Sequence, residues 1–319
     1  MMEKYNSLII DTVNLAYKVF EKENETPKLL AKKLVFKKSV CNFINTVEEL
    51  KKKYLHYDGQ VYLLIDNYFS RADLQSTFLF ADRKQLDEAY KSTRKKENKS
   101  FYNSINLIRY YYLIGPADYH TIRIEGLEAD DLVKPLLNSE CKGQRCLMVT
   151  NDLDWCRYLG DGIDWLPYLN EEPETKGDVS QRLGFEANEK NITIYKALFG
   201  DESDNIPATS RHSKDNTNQF LELIKIVEYP EQLVMLSRDK DKVAQYPILE
   251  DISGSVDKEK RYLINVQLVS AINCTTDHLK SCMTTGRLAD TLYKVVRESI
   301  GLDSSDQEFV FGNVKRPRK

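Results

Sequence analysis

Acidic residues recur in this 319-residue chain directly after stretches that predict β-strands. Four apolar runs have that character: 8–10, 61–65, 122–124 and 146–150. The acids that follow them are Asp11, Asp66, Glu128, Asp130, Asp131, Asp152 and Asp154, and the segment 200–204 adds Asp201 and Asp204. In an open α/β sheet the carboxyl ends of parallel strands meet at one edge, so we expect these side chains to lie close together.

So many carboxylates at one edge of a sheet need counter-charge. Mutual repulsion raises their pKa values unless cations neutralise them. Hard divalent ions that prefer oxygen ligands, such as Mg²⁺, are the natural counter-charge. The pattern therefore predicts a site for more than one metal ion, of the kind that supports phosphoryl transfer.

Each acidic cluster taken alone has an ordinary structural explanation. A single aspartate at a strand end, such as Asp11 or Asp66, is most often a helix N-cap or a turn former. The acids at 128–131 would equally well complement the positive end of the helix that follows them. Recurrence at four successive strand ends is what favours a functional site over four unrelated caps.

Composition limits the possible classes of protein. The chain is 41% hydrophobic, which is enough for one large core or two modest ones. Its net charge of −3 gives no global sign of nucleic-acid binding, so local clusters have to carry that argument. No run approaches a membrane span or the apolar part of a secretory signal. The six cysteines form no CxxC pair, and we expect reduced thiols in a cytoplasmic protein.

The order of patterns predicts how the chain is organised. Strand-like and helical stretches alternate over 1–207, which predicts an α/β domain with a mainly parallel, twisted sheet flanked by helices. Within it, a basic and aromatic segment at about 70–112 lacks any strand pattern. Residues 208–303 are mostly helical in pattern, and the polar, basic residues 304–319 predict a flexible tail.

The segment at about 70–112 interleaves cations with aromatic side chains. Cations that follow phosphates and rings that stack on unpaired bases suit a single-stranded nucleic acid. A solvated pair of helices with core-facing aromatics fits the composition at least as well. The candidate nucleic-acid contacts are Arg83, Lys84, Lys95, Lys96 and Lys99.

Four motifs carry a resemblance to a known family: 10–15 (IDTVNL), 126–131 (GLEADD), 150–155 (TNDLDW) and 196–206 (KALFGDESDNI). Over roughly 5–207 the chain resembles the structure-specific 5′-nucleases, which include bacteriophage flap endonucleases, the phage ribonuclease H that removes primers, and the 5′-nuclease domain of bacterial DNA polymerase I. The phage ribonuclease H branch is the nearest. The resemblance implies a PIN-like catalytic core, with the segment at about 70–112 forming a helical arch or bridge over the active site.

The resemblance also implies a role for each acid. Two or more Mg²⁺ or Mn²⁺ ions are expected. The first is held by Asp66, Glu128, Asp130 and Asp152, and the second by Asp154, Asp201 and Asp204. Asp11 lies between them and holds waters. Asp131 matches a position that is acidic in some members of the family.

In the arch, the family's Tyr-Lys-x-x-Arg pattern corresponds to Tyr90, Lys91 and Arg94. A lysine and an arginine one helical turn apart project from one face, so both could reach the scissile phosphate. There they would stabilise the charge that develops in the transition state. Tyr90 is expected to stack on a base beside the cleavage site.

The chain departs from many family members after residue 206. Those members continue with a glycine-containing helix-hairpin-helix that binds duplex backbone, whereas 207–216 contain no glycine here. We therefore predict that Arg211 and Lys214 anchor the duplex through their side chains. The apolar residues 309–311 are a candidate docking segment for a single-strand-binding protein or a sliding clamp, unless the tail is only a basic, adhesive extension.

The acidic pattern predicts a metal-dependent site for phosphoryl transfer, and the resemblance implies that the protein is a 5′→3′ exonuclease and flap endonuclease with ribonuclease H activity. It would act as a monomer on branched DNA or RNA–DNA hybrids with a 5′ end, in the cytoplasm of a phage-infected bacterium. One alternative is a PIN-type ribonuclease acting only on RNA. Another is a non-catalytic branched-DNA-binding protein. The acids Asp201 and Asp204 and the basic segment favour the first function.

Overall fold

A six-stranded sheet forms the centre of the computed structural model, which describes residues 4–21, 31–66, 83, 86–92, 99–168, 170, 172–272 and 274–286. Residues 287–303 of the predicted helical region, the tail at 304–319, and the segments 70–82, 84–85 and 93–98 of the predicted arch lie outside these residues. The strands are β1 (Tyr5–Asp11), β2 (Leu55–Leu64), β3 (Tyr119–Ile122), β4 (Cys146–Val149), β5 (Ile163–Leu166) and β6 (Met283–Thr285).

The sheet has the order β5-β4-β1-β2-β3-β6, and its first five strands are parallel. Buried parallel strands are apolar on both faces, which is why the strand signals in the sequence are continuous hydrophobic runs. Only β6 runs antiparallel, pairing with β3 at the edge. The prediction of a mainly parallel sheet flanked by helices is therefore confirmed.

Twelve α-helices lie within the described residues. They are α1 (Thr12–Glu21), α2 (Ala31–Tyr54), α3 (Lys99–Leu113), α4 (Ala129–Leu137), α5 (Lys176–Leu183), α6 (Glu189–Phe199), α7 (Lys214–Ile226), α8 (Gln232–Ser237), α9 (Lys240–Gln245), α10 (Glu250–Ser253), α11 (Val256–Val269) and α12 (Thr276–Cys282). Two 3₁₀ helices span Leu153–Tyr158 and Pro247–Leu249. Across the described ranges, no helix combines the length and apolarity needed to cross a bilayer.

Alternation along β1 divides the core into two layers. Leu8 and Ile10 point to one face and pack with α1, α2 and α3. Ile9 points to the other face and packs with α4 and with most of the C-terminal helices. Because both faces are covered by helices, the acids that follow the strands are left at the carboxyl edge of the sheet.

The helical region after residue 207 is not separate from the α/β layers. Its residues Phe220, Tyr262 and Leu279 belong to the same apolar cluster as Ile9 and Leu132. The strand β6, which the sequence did not predict, also comes from this region and pairs with β3. The described part of the region predicted at 208–303 therefore shares an apolar cluster and the sheet with the region predicted at 1–207.

Two glycines at the C-terminal ends of helices have a positive φ but differ in how closely the neighbouring backbone approaches them. Gly184 ends α5 and Gly200 ends α6, with φ of 78° and 80°. A Cβ at Gly184 would meet nothing within 4 Å, whereas a Cβ at Gly200 would lie 2.8 Å from the Ala208 nitrogen and the Ile206 oxygen. Gly200 thus permits the loop after α6 to fold back onto the helix end.

We expect Gly184→Ala to lower the free energy of unfolding by about 1 kcal/mol, the cost of a left-handed backbone with a side chain. Gly200→Ala should cost at least about 3 kcal/mol, because backbone strain and a backbone clash add. Urea unfolding followed by circular dichroism measures both variants, with Gly184→Ala as the control for a positive φ without a clash. Equal losses for the two variants would contradict the close approach of the loop.

Candidate metal centre

The predicted acids gather at the carboxyl edge of the sheet. Five of their carboxylates form two overlapping groups, in each of which the potential ligand atoms all lie within 4.8 Å of one another. One group contains Asp130, Asp152 and Asp154, and the other contains Asp154, Asp201 and Asp204. The second group is the set predicted for the second ion, and Asp154 joins the two.

Asp11 and Asp66 follow the adjacent strands β1 and β2. The Asp11 carboxylate accepts from the Asn14 backbone N–H at 3.0 Å and from the Thr150 hydroxyl at 3.1 Å. One oxygen of Asp66 accepts from the Ala129 backbone N–H at 2.6 Å. Parallel pairing of the strands thus brings both acids to the same edge of the sheet, where Asp66 contacts the first residue of α4.

The three acids at the start of α4 point in different directions. Glu128 is the N-cap, and its backbone N–H donates to Asp131 Oδ2 at 3.1 Å in a capping box. Asp130 faces the neighbouring acids, and its Oδ1 accepts from Trp155 Nε1 at 2.9 Å. Asp131 faces the protein interior and belongs to neither carboxylate group.

Two cationic side chains that were not predicted as site residues, Arg157 and Lys196, form ion pairs with Asp154. Arg157 Nη2 lies 2.9 Å from Asp154 Oδ1, and Lys196 Nζ also pairs with that oxygen. Lys196 Nζ donates in addition to Asp201 Oδ2 at 2.6 Å, so it bridges two acids of the second group. Arg157 follows Asp154 at an i,i+3 spacing, which was a usable signal. The contact of Lys196 with Asp154 depends on the tertiary fold.

Lys91 enters the acid cluster on a turn. Its backbone N–H donates to the backbone oxygen of Asp204 at 2.8 Å. Its Nζ lies 2.7 Å from Glu128 Oε1 and 3.4 Å from Asp204 Oδ2. Residues 88–92 form turns, and Lys91 has a left-handed φ of 53°. The prediction that Lys91 projects from a helix together with Arg94 is therefore wrong at Lys91, and Arg94 lies outside the described residues.

Tyr90 has a structural position in this turn. Its ring is 1% exposed, and its hydroxyl contacts Glu128 Oε2 at 3.4 Å and Asp204 Oδ2 at 3.3 Å. A ring that is buried with Ile206, Leu268 and Val269 cannot stack on a nucleic-acid base, so that prediction is wrong for this structure. Tyr90 instead fixes the turn that carries Lys91.

Burial and crowding set the charge state of the acids. Burial, followed by the charge of Asp66, raises the pKa of Asp11 well above its usual range. Burial and the charge of Asp152 do the same to the pKa of Asp130. Burial and the charge of Asp154 raise the pKa of Asp152 to about 6. These shifts follow from the placement of several anions in one partly buried cluster.

Basic neighbours reverse the shift at two positions. Burial alone would raise the pKa of Asp154, but Lys196 and Arg157 outweigh it and hold that pKa below the usual range. Burial also opposes ionisation of Asp201, and Lys196 again lowers the pKa below its ordinary value. The two acids that Lys196 bridges therefore remain carboxylates near neutral pH.

The donor set fits hard divalent cations. Both groups offer carboxylate oxygens alone, without sulfur or imidazole ligands, which is the chemistry that Mg²⁺ and Mn²⁺ prefer. The two groups hold five different carboxylates, and Asp11, Asp66, Glu128 and Asp131 bring the predicted acids of this edge to nine. Among the described residues, four cationic side chains pair with acids of this edge: Arg83, Lys91, Arg157 and Lys196. A formal excess of five negative charges therefore remains for bound cations to offset.

Of the side chains predicted to contact nucleic acid, one is buried, two are exposed and four are outside the description. Arg83 is 5% exposed and pairs with Glu128 and Asp131, so the prediction that it contacts nucleic acid is corrected to an internal ion pair. Arg211 and Lys214 are exposed, in the loop before α7 and at its first residue. Lys99 begins α3, and its side chain is outside the description, as are Lys84, Lys95 and Lys96.

Residues 6–184 match the family model of the 5′-3′ exonuclease N-terminal, resolvase-like domain. The chain belongs to this family. Three relatives are DNA polymerase I of Caldicellulosiruptor bescii, 25% identical over 67% of this chain, and the 5′-3′ exonucleases of Buchnera aphidicola, 28% over 40%, and Mycoplasmopsis pulmonis, 24% over 50%. The chain spans 24%, 44% and 55% of their respective lengths.

Solved structures support the same fold. The 5′-exonuclease of T5 with bound zinc has a TM-score of 0.59 and 17% identity, covering 92% of this chain and 98% of that one. A flap endonuclease of bacteriophage T5, in a complex with DNA and metal ions, has a TM-score of 0.60 and 17% identity, with 92% and 97% covered. At this identity the likeness establishes the fold, and the PIN-like prediction is confirmed.

Proposed function

We propose that the protein is a divalent-metal-dependent 5′→3′ exonuclease and flap endonuclease. The observation that carries the proposal is the pair of carboxylate groups that share Asp154. Two adjacent sites for hard cations suit in-line hydrolysis of a phosphodiester, because bound divalent ions would lower the pKa of water and offset charge on the phosphate. Mg²⁺ is the proposed ion and Mn²⁺ its substitute. Membership in the 5′-3′ exonuclease family supports the same reaction.

The protein's own residues would prepare the site. Lys196 and Arg157 hold Asp154 as a carboxylate, and the parallel strands place Asp11 next to Thr150. Lys91 is the cation positioned to meet a substrate phosphate, because it reaches the cluster from a turn and lies beside both Glu128 and Asp204. A fixed cation near the scissile phosphate would stabilise charge that develops in the transition state.

The proposed substrate is branched DNA with a 5′ end, with RNA–DNA hybrids as a second substrate. The metal- and DNA-bound T5 flap endonuclease, which shares the fold, supports the first part. Ribonuclease H activity and a role in phage DNA replication inside an infected bacterium are proposed from the resemblance of the motifs alone. The protein would act as a monomer, and the tail at 304–319 would bind a sliding clamp or a single-strand-binding protein.

The test uses four labelled substrates: a 5′ flap, a nicked duplex, an RNA–DNA hybrid and a single-stranded RNA, each with Mg²⁺ or with chelator. We expect cleavage only with metal, leaving 5′-phosphate and 3′-hydroxyl ends. Asp152→Asn should bind substrate but cut at least ~100-fold more slowly, given what charge-stabilising groups contribute. Cleavage of single-stranded RNA alone would support the PIN-type ribonuclease, and wild-type rates from Asp152→Asn would refute the assignment of the site.

We expect Lys91→Ala to slow single-turnover cleavage on the order of 100-fold while weakening substrate binding only a few-fold, because a transition-state contact acts on the chemical step. Lys134→Ala is the control, because it removes a half-exposed cation paired with Glu189 outside the site. Rapid-quench kinetics and fluorescence anisotropy separate the two effects. A loss of affinity with an unchanged cleavage rate would make Lys91 a phosphate tether and nothing more.

Duplex anchoring is proposed to depend on Arg211 and Lys214. The loop that carries Arg211 is held in place, since the Ser210 hydroxyl donates to Asp251 at 2.7 Å and Asn216 Nδ2 donates to the Arg211 oxygen at 2.9 Å. An ordered loop with two exposed cations presents charge at a fixed position. Without glycine, the contact with phosphate would come from the side chains.

The double variant Arg211→Ala plus Lys214→Ala should weaken binding to duplex-bearing substrates. Its slope of log affinity against log salt should be shallower by about two units at most, because each neutralised phosphate contributes roughly 0.9. The control removes two exposed lysines, Lys52 and Lys142, from the opposite edge of the sheet. Anisotropy across a salt series measures both variants. Identical slopes for them would place duplex anchoring elsewhere on the molecule.

A further inference from the structure

A buried cluster joins the carboxylate site to the end of α11. Arg83 Nη1 lies 2.9 Å from Glu128 Oε2, and its Nη2 lies 2.9 Å from both Asp131 Oδ1 and the Ser270 backbone oxygen. Asp131 Oδ1 also accepts from the Ile272 backbone N–H at 2.8 Å. The three side chains Arg83, Glu128 and Asp131 are between 0% and 5% exposed.

The surroundings of Asp131 differ from those of its neighbour Asp130. Both oxygens of Asp131 are occupied by protein donors: Arg83 and Ile272 at Oδ1, and the Glu128 N–H at Oδ2. Asp130 belongs to a carboxylate group whose ligand atoms lie within 4.8 Å of one another. Two consecutive acids on a helix point about 100° apart, so one can face a metal site while the other faces the core.

The segment they hold is the C-terminal end of α11, where helix carbonyls lack partners within the helix. Arg83 donates to the Ser270 oxygen, and Arg157 Nη1 donates to the Val269 oxygen at 2.8 Å. Cations are favourable at this end of a helix because of its dipole. Each of the two arginines also pairs with an acid of the candidate metal centre, so the same guanidinium groups satisfy both the helix end and the carboxylates.

We propose that Asp131 and Arg83 are positioning residues that form a buried clamp between the carboxylate site and the end of α11, and that Asp131 is not a metal ligand. In this clamp Arg83 holds the Glu128 carboxylate. The backbone groups of Ser270 and Ile272 bind Arg83 and Asp131 from the end of α11. The inference rests on the proposed function only for the identity of the bound ion. A C-terminal helix thereby supports an active site that the family's motifs place entirely within the first 206 residues.

The test compares Asp131→Asn with its neighbour Asp130→Asn, using calorimetry with Mn²⁺ alone, thermal unfolding, and hydrogen exchange of the Ile272 amide. Asp131→Asn should bind Mn²⁺ within about threefold of wild type but lower the unfolding midpoint by at least about 5 °C, because it leaves Arg83 a buried charge with one fewer partner. The Ile272 amide should exchange faster. Asp130→Asn should weaken Mn²⁺ binding at least about tenfold and leave Ile272 protected.

Asn265→Ala controls for general loss of stability, because Asn265 is buried on α11 and its amide bonds to the Pro207 oxygen rather than to an acid. Turnover at saturating Mg²⁺ should fall for Asp131→Asn and stay near wild type for Asn265→Ala. Loss of Mn²⁺ binding in Asp131→Asn, with stability and Ile272 protection retained, would overturn the clamp. Wild-type Mn²⁺ binding by Asp130→Asn, together with the expected Asp131→Asn results, would refute the metal centre and leave the clamp supported.

Discussion

Repulsion among carboxylates at the carboxyl edge of the sheet is the constraint around which the other features are arranged. Parallel strands place Asp11 and Asp66 at one edge of the sheet. The start of α4 adds Glu128 and Asp130, and the start of the 3₁₀ helix Leu153–Tyr158 adds Asp152 and Asp154. Buried anions at such distances destabilise a fold unless cations offset them. The raised pKa of Asp11 and Asp130 and the lowered pKa of Asp154 reflect how unevenly the protein's own cations are distributed.

Those cations come from distant parts of the chain, and this makes the site a property of the whole fold. Lys91 and Arg83 precede α3, Arg157 follows β4, and Lys196 lies near the end of α6. The turn of Lys91 is locked by contacts with the loop 201–206, where Asn205 Nδ2 donates to the Ala89 oxygen at 2.7 Å. Both segments contain a residue other than glycine in the left-handed region, Lys91 and Asn205. Such strain persists only where surrounding contacts impose it, as these do.

The sequence predicted the strands and their acids well because both signals are local. A buried parallel strand appears in the sequence as a continuous apolar run. The residue that follows such a strand lies at the carboxyl edge of the sheet, because the strands of a parallel sheet all run in the same direction. The edge strand β6 was missed because three residues, Met283–Thr285, are too few for a pattern. Arg83, Tyr90 and Lys91 were misread for another reason. Their burial and backbone depend on contacts with Glu128, Asp131 and Asp204, which no local pattern contains.

The central claim is that Asp154 joins two adjacent sites for divalent ions at this edge of the sheet. Anomalous X-ray scattering from crystals grown with Mn²⁺ tests it most directly, because it locates the ions without any assumption about activity. We expect two peaks, one bounded by Asp130, Asp152 and Asp154 and the other by Asp154, Asp201 and Asp204, each about 2 Å from carboxylate oxygens. Well-occupied peaks elsewhere on the protein, with neither of these two positions occupied, would contradict the claim.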